Sequence, residues 1–185
     1  MKICMSDSDL KICEFHAKKM CDGFVTRSFK NGGLQNHDAY MIGKIGEYAI
    51  GLWMKNMGIK IIHKPFRNEY KYLNPNDDFI IEKNGRQFQI EARAKARNVE
   101  PQKHFECCTE SIKPHLVYVF ASYNRSNREV DVLGFMNESR LRKYARPILA
   151  GTDNCNFSHK SNEYNVIVEE LMPPSSFVDY LNNEI

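Results

Sequence analysis

The sequence has no apolar run long enough to cross a membrane. Stretches such as the one ending in Ile50-Gly51-Leu52-Trp53-Met54 stop far short of the ~20 residues a helical span needs. Nor is a secretory leader expected: Met1-Lys2-Ile3-Cys4-Met5 is too short an apolar run for one and turns polar at Ser6-Asp7-Ser8-Asp9. The expected location is therefore intracellular, cytoplasmic or nucleoid-associated, with no membrane partner. The six cysteines contain no Cys-x2-Cys pair, and inside a cell they read as reduced thiols rather than a disulfide framework. Cys4, Cys13, Cys21 and His16 lie near one another in sequence, and Cys13 and His16 could share a helix face. Cys4 is too distant to complete a zinc site, so buried thiols on an amphipathic helix are expected. The adjacent Cys107 and Cys108 point in different directions and suggest no site. Internal repeats, low-complexity tracts and linkers are also absent.

What remains is an ordinary globular composition: 185 residues, 42% hydrophobic and 26% charged, enough for one domain with a core of its own. The formal charge is only +3, but it is unevenly spread. Residues 150–185 hold one of the 26 basic residues and six of the 23 acidic ones, which leaves 25 basic and 17 acidic before position 150. A polyanionic partner would explain that imbalance, and so would an uneven soluble surface. Charge alone does not choose between them.

Apolar spacing predicts a helix over residues 7–22 with Ser6 or Asp7 as its cap, and a second from about Asp38 to Asn56 with Gly58 as its stop. Residues 59–63 alternate and are β-branched, so they read as a strand. The runs 79–82 and 87–91 flank Lys83-Asn84-Gly85-Arg86, and Asn-Gly between two such runs signals a hairpin. A short helix is expected around 103–112, strands at 116–120 and 130–135, a helix near 138–144, a strand near 164–168 and a last helix ending about Leu181. The fold class is α/β, a central mixed β-sheet flanked by helices. A single domain spans 1–185, with a core at about 38–136.

The most informative stretch runs from Phe88 to Arg97. Period two puts Phe88, Ile90, Ala92, Ala94 and Ala96 on one face and Gln89, Glu91, Arg93, Lys95 and Arg97 on the other. A solvated edge strand has the same look. Asp77 and Asp78, however, stand just before the preceding strand, and across the hairpin Asp78 and Glu91 can approach one point. Two converging carboxylates suit Mg²⁺, which takes one or two of them and keeps several waters. Such an ion activates water and polarises a phosphodiester, while neighbouring cations stabilise the growing phosphate charge.

In order, the chain presents Gly43-Lys44-Ile45-Gly46-Glu47 on a helix, Asn76-Asp77-Asp78-Phe79-Ile80-Ile81, a hairpin, and then Gln89-Ile90-Glu91-Ala92-Arg93. This order resembles the PD-(D/E)XK nuclease superfamily, well over residues 40–135 and loosely elsewhere. The resemblance implies a restriction-endonuclease-like fold and a Mg²⁺-dependent nuclease, with Mn²⁺ as a substitute and nucleic acid, DNA for preference, as the partner. By position, Asp78 and Glu91 correspond to the metal-binding and catalytic carboxylates, and Glu47 to the helix glutamate that binds metal or a metal water. Cutting both strands often uses two copies of such a site, which raises a homodimer as an expectation.

The chain departs from the pattern twice. Pro75 does not directly precede the aspartate, so Asp77 competes with Asp78 for the ligand role. The motif lysine is Arg93, with Lys95 one strand repeat further along. The expectation is that Lys95 shares the lysine's role, that Arg93 binds phosphate beside it, and that Arg97 extends the nucleic-acid-binding row. Two other readings stay open: a nucleic-acid-binding protein with this fold and no catalysis, and an interaction protein whose carboxylates, Glu47 included, are solvated surface.

Overall fold

The computed structural model describes residues 1–24, 33–63, 66, 78–97, 103–108, 116–149, 153–154, 157–158 and 163–183. In chain order the elements are β1 (Lys2–Cys4), α1 (Asp7–Phe24), α2 (Gly33–Asn56), β2 (Lys60–His63), β3 (Phe79–Lys83), β4 (Arg86–Arg97), β5 (His104–Cys108), β6 (Leu116–Asn124) and β7 (Glu129–Asn137). There follow α3 (Glu138–Tyr144), β8 (Arg146–Ile148), β9 (Asp153–Asn154), β10 (Phe157–Ser158), β11 (Glu163–Ile167) and α4 (Phe177–Asn183).

Six strands form the main sheet in the order β1-β7-β6-β4-β3-β2. The β4–β6 pair is parallel and the others are antiparallel, so the sheet is mixed. A second sheet, β5-β11-β8, is antiparallel throughout. No described helix is long and apolar enough to cross a membrane. The α/β architecture with helices against a mixed sheet is the one expected from the sequence.

Local chemistry explains most of these elements. At the start of α1 the Ser6 hydroxyl accepts from the Asp9 N–H at 3.2 Å, and the Asp9 carboxylate accepts from the Ser6 N–H at 2.9 Å. That reciprocal pair satisfies two N–H groups the first turn would otherwise leave without a partner. Asn84 (φ 52°) and Gly85 (φ 75°) both take left-handed backbone in the two-residue turn, as a tight β3–β4 hairpin demands. Asn137 caps α3 by accepting from the Arg140 N–H at 2.9 Å.

Two apolar cores lie on opposite sides of the main sheet. One packs Ile45, Ala49 and Trp53 of α2 over Phe79, Ile90 and Val119 of the strands, with the Phe177 ring of α4 tilted against Trp53 and edge-on to Phe135. The other gathers Tyr118 and Phe120 of β6 with Phe105 of β5, Val166 of β11 and Leu141 of α3. Both tyrosine and phenylalanines there are fully buried, or nearly so.

Residues 104–108, expected as part of a helix, form a strand instead. Phe105 is buried in the second core, and β11 supplies this segment's backbone hydrogen bonds from far along the chain. That partner is invisible to local spacing. The strand β1 was likewise not foreseen: its three residues pair with Glu129–Asp131 of β7.

Candidate active site at the open edge of β4

The strand β4 is twelve residues long, but β3 covers only its first part, pairing Phe79–Lys83 with Arg86–Ile90. On the other side β6 runs beside it from Gln89 to Arg97. Among the described residues, no strand pairs with the β3-side edge of β4 beyond Ile90. At that point the Asp78 carboxylate takes over from the ladder and accepts from the Ala92 N–H at 2.7 Å. Asp78 is thus fixed beside Glu91 by the register itself, Phe79 being opposite Ile90.

Glu47 reaches the same place from α2. A Cβ on Gly46 would collide with that of Ala94, and one on Gly51 would stand 3.2 Å from the Phe79 ring. The glycines and the small alanine face of β4 therefore let the helix backbone lie close to the sheet. Gly43 has open space around its Cβ position, so close approach does not account for it. The carboxyl of Glu47 is pushed up to about 8, mainly by burial and then by the charge of Asp78, with Glu91 adding to it. Lys44, one turn earlier, works against this shift through an ion pair with Glu47 at 2.5 Å. Three carboxylates from α2, from the start of β3 and from β4 thus lie within electrostatic range of one another.

The cations are distributed unevenly. Arg93 bridges to Glu91 on its own strand at 3.0 Å. The Lys95 ammonium lies 5.8 Å from the centre of the Phe105 ring, over its face. Arg97 is buried and paired with Asp131 of β7, while its Nε and Nη1 are buried without a hydrogen-bond partner among the described residues. Its guanidinium therefore ties β4 to β7 and does not lie on the protein surface. Asp77, the competitor of Asp78, lies outside the described residues.

Around Lys44 sits an aromatic patch that sequence reasoning missed. Its ammonium is 5.5 Å from the centre of the Phe66 ring, which meets Tyr48 and His16 edge-on. The Tyr48 hydroxyl donates to Asp9 at 2.6 Å, tying α2 to the first turn of α1. Cys13 packs beneath, its thiol directed at the Lys44 carbonyl at 3.5 Å and pushed up to about 12 by burial. Cys13 is the buried thiol expected on α1, whereas Cys4, on β1, is an exposed thiol.

Among the described residues, no three His, Cys, Asp or Glu side chains are arranged as a ready metal-holding group. The donor chemistry nonetheless fits a hard divalent cation. Mg²⁺ needs only one or two carboxylates, and a bound cation would offset the charge of Asp78 and Glu91 that, after burial, helps to raise Glu47. Compared with known proteins, the chain matches no family model, no curated protein and no solved structure.

Proposed function

We propose that this chain is a Mg²⁺-dependent nuclease of restriction-endonuclease-like fold that hydrolyses phosphodiester bonds, acting on DNA as an endonuclease. The meeting of Glu47, Asp78 and Glu91 where β3 leaves β4 is the main support. The resemblance to PD-(D/E)XK nucleases orders the same residues in the same way. Asp78 and Glu91 would hold the ion through carboxylate oxygens, with Glu47 on the ion or on one of its waters. When bound, Mg²⁺ (or Mn²⁺ in its place) supplies Lewis-acid chemistry, acidifying water and drawing charge from the phosphate.

Hydrolysis adds the oxygen of water to phosphorus and breaks one P–O ester bond, and the departing oxygen takes up a proton. Arg93 offers a planar fork of donors suited to phosphate oxygens, and Lys95, two residues on, adds a second charge about 6.5 Å along the strand. A duplex cut on both strands calls for two such sites, so the proposal includes a homodimer.

One observation favours a second reading. The motif's last position carries a guanidinium that is engaged with Glu91, which suits a protein that binds nucleic acid without cutting it. Incubation with plasmid, linear and branched DNA under Mg²⁺, Mn²⁺ or chelator decides between the two. The nuclease reading expects nicked or linear products only with metal. Binding that persists in chelator, weakens with salt and never leads to cleavage would replace it with the binding reading.

A further inference from the structure

Lys44 is the only buried lysine among the described residues, with 4% of its side chain exposed. Removing an ammonium from water costs several kcal/mol, and an apolar side chain of similar volume would pack at that place without the cost. Its location is also specific. Lys44 lies one turn before Glu47 on the stretch of α2 held against β4 at Gly46 and Ala94, and its ammonium contacts the Glu47 carboxylate directly. Phe66 closes over it. The two other cations near the site are placed differently: the Arg93 guanidinium is on Glu91, and the Lys95 ammonium is over the Phe105 ring on the side of the second core. Lys44 is a compact, rotatable three-donor charge in direct contact with the carboxylate cluster.

We propose that Lys44 supplies from helix α2 the ammonium that Glu91-Ala92-Arg93 lacks on strand β4. It holds Glu47 in position and donates to the phosphate oxygen that gains charge as water attacks, a stabilisation that operates in the transition state more than in binding. This assignment rests on the nuclease reading and replaces Lys95 in the lysine's role, leaving Lys95 to bind phosphate. A different part for Lys44 is the simple neutralisation of Glu47, and the test must separate the two.

The experiment compares the full chain with Lys44→Met, Lys95→Met and the double variant Lys44→Met with Arg93→Lys. Three quantities are read: single-turnover DNA cleavage in Mg²⁺, DNA affinity in Ca²⁺, and the rise in melting temperature on adding Mn²⁺. Lys44→Met is expected to lose about 100-fold or more in cleavage, with affinity within about threefold of the parent and the Mn²⁺ response retained. Arg93→Lys in that background returns at least about tenfold of the lost rate, because an ammonium is restored to the cluster from the opposite side. Lys95→Met, which removes a phosphate-binding charge, is expected to weaken DNA affinity in Ca²⁺ and to lose less single-turnover cleavage than Lys44→Met.

Should Lys44→Met not fold, Lys44→Gln carries the same comparison with an uncharged donor. Parent-like cleavage by the Lys44 variant overturns the proposal. So does a loss of cleavage accompanied by loss of the Mn²⁺ response and no rescue by Arg93→Lys, which is the signature of a structural brace. An inert parent under every metal removes the nuclease reading itself, and this inference with it.

Discussion

The two halves of β4 follow the same alternation and meet different fates. From Arg86 to Ile90 the strand is paired with β3, and Ile90 is fully buried in the core beneath α2. From Glu91 to Arg97 β3 is gone, and the Asp78 side chain stands where its ladder would continue. Period two is identical in both, yet the first half serves the fold and the second gathers charge. What separates them is the partner on one edge. A strand that loses a neighbour halfway leaves backbone donors for side chains to satisfy, as the Asp78 carboxylate does for the Ala92 N–H.

The largest effect should come from crossing that boundary. Ile90→Ala is expected to cost about 2–5 kcal/mol of stability by denaturant unfolding, since it opens a cavity under α2. Glu91→Ala, the next residue, is expected to cost less than about 1 kcal/mol and to abolish metal-stimulated cleavage. Equal destabilisation by the two would erase the distinction between the halves.

Gly46→Ala comes next. Its methyl would strike that of Ala94, so α2 must shift away from β4, at about 1–3 kcal/mol of overpacking. Because Glu47 reaches the carboxylate cluster from that contact, cleavage should fall along with stability. A variant that melts like the parent and cleaves like it would mean that the close approach does not set the site.

Glu47 gives a smaller, pH-dependent effect. Its carboxyl binds a proton more tightly in the folded protein than in the unfolded chain, so the metal-free fold loses stability as pH rises from about 4.5 to about 8. Glu47→Gln should remove that slope, measured by urea unfolding at a series of pH values without metal. An unchanged slope would mean that Glu47 is not the group whose proton is held more tightly in the fold. The smallest effect is expected at the hairpin, away from the site. Gly85→Ala puts a side chain on left-handed backbone and should cost about 1 kcal/mol in stability while leaving cleavage unchanged.

The sequence made the hairpin, the two long helices and the alternation of β4 legible, because each rests on local chemistry: Asn84-Gly85, helical spacing, period two. It also brought Glu47, Asp78 and Glu91 together, through the order of their elements. It did not disclose β1 or β5, whose hydrogen bonds come from β7 and β11 far away in the chain. Nor did it single out Lys44. A lysine between glycines on a helix reads as a solvated charge, and only the packing of α2 on Ala94 turns it inward. Arg97 shows the converse, since alternation put it in a basic row while Asp131 of β7 took it into the sheet.

The central claim, that Asp78 and Glu91 together hold a divalent cation, is tested most directly by Mn²⁺ titration of the parent and of the Asp78→Ala/Glu91→Ala double variant, followed by calorimetry and by melting temperature. The account predicts saturable binding and a rise in melting temperature in the parent, and neither in the double variant although it remains folded. A parent that binds no Mn²⁺, or a double variant that binds it as well as the parent, would contradict it.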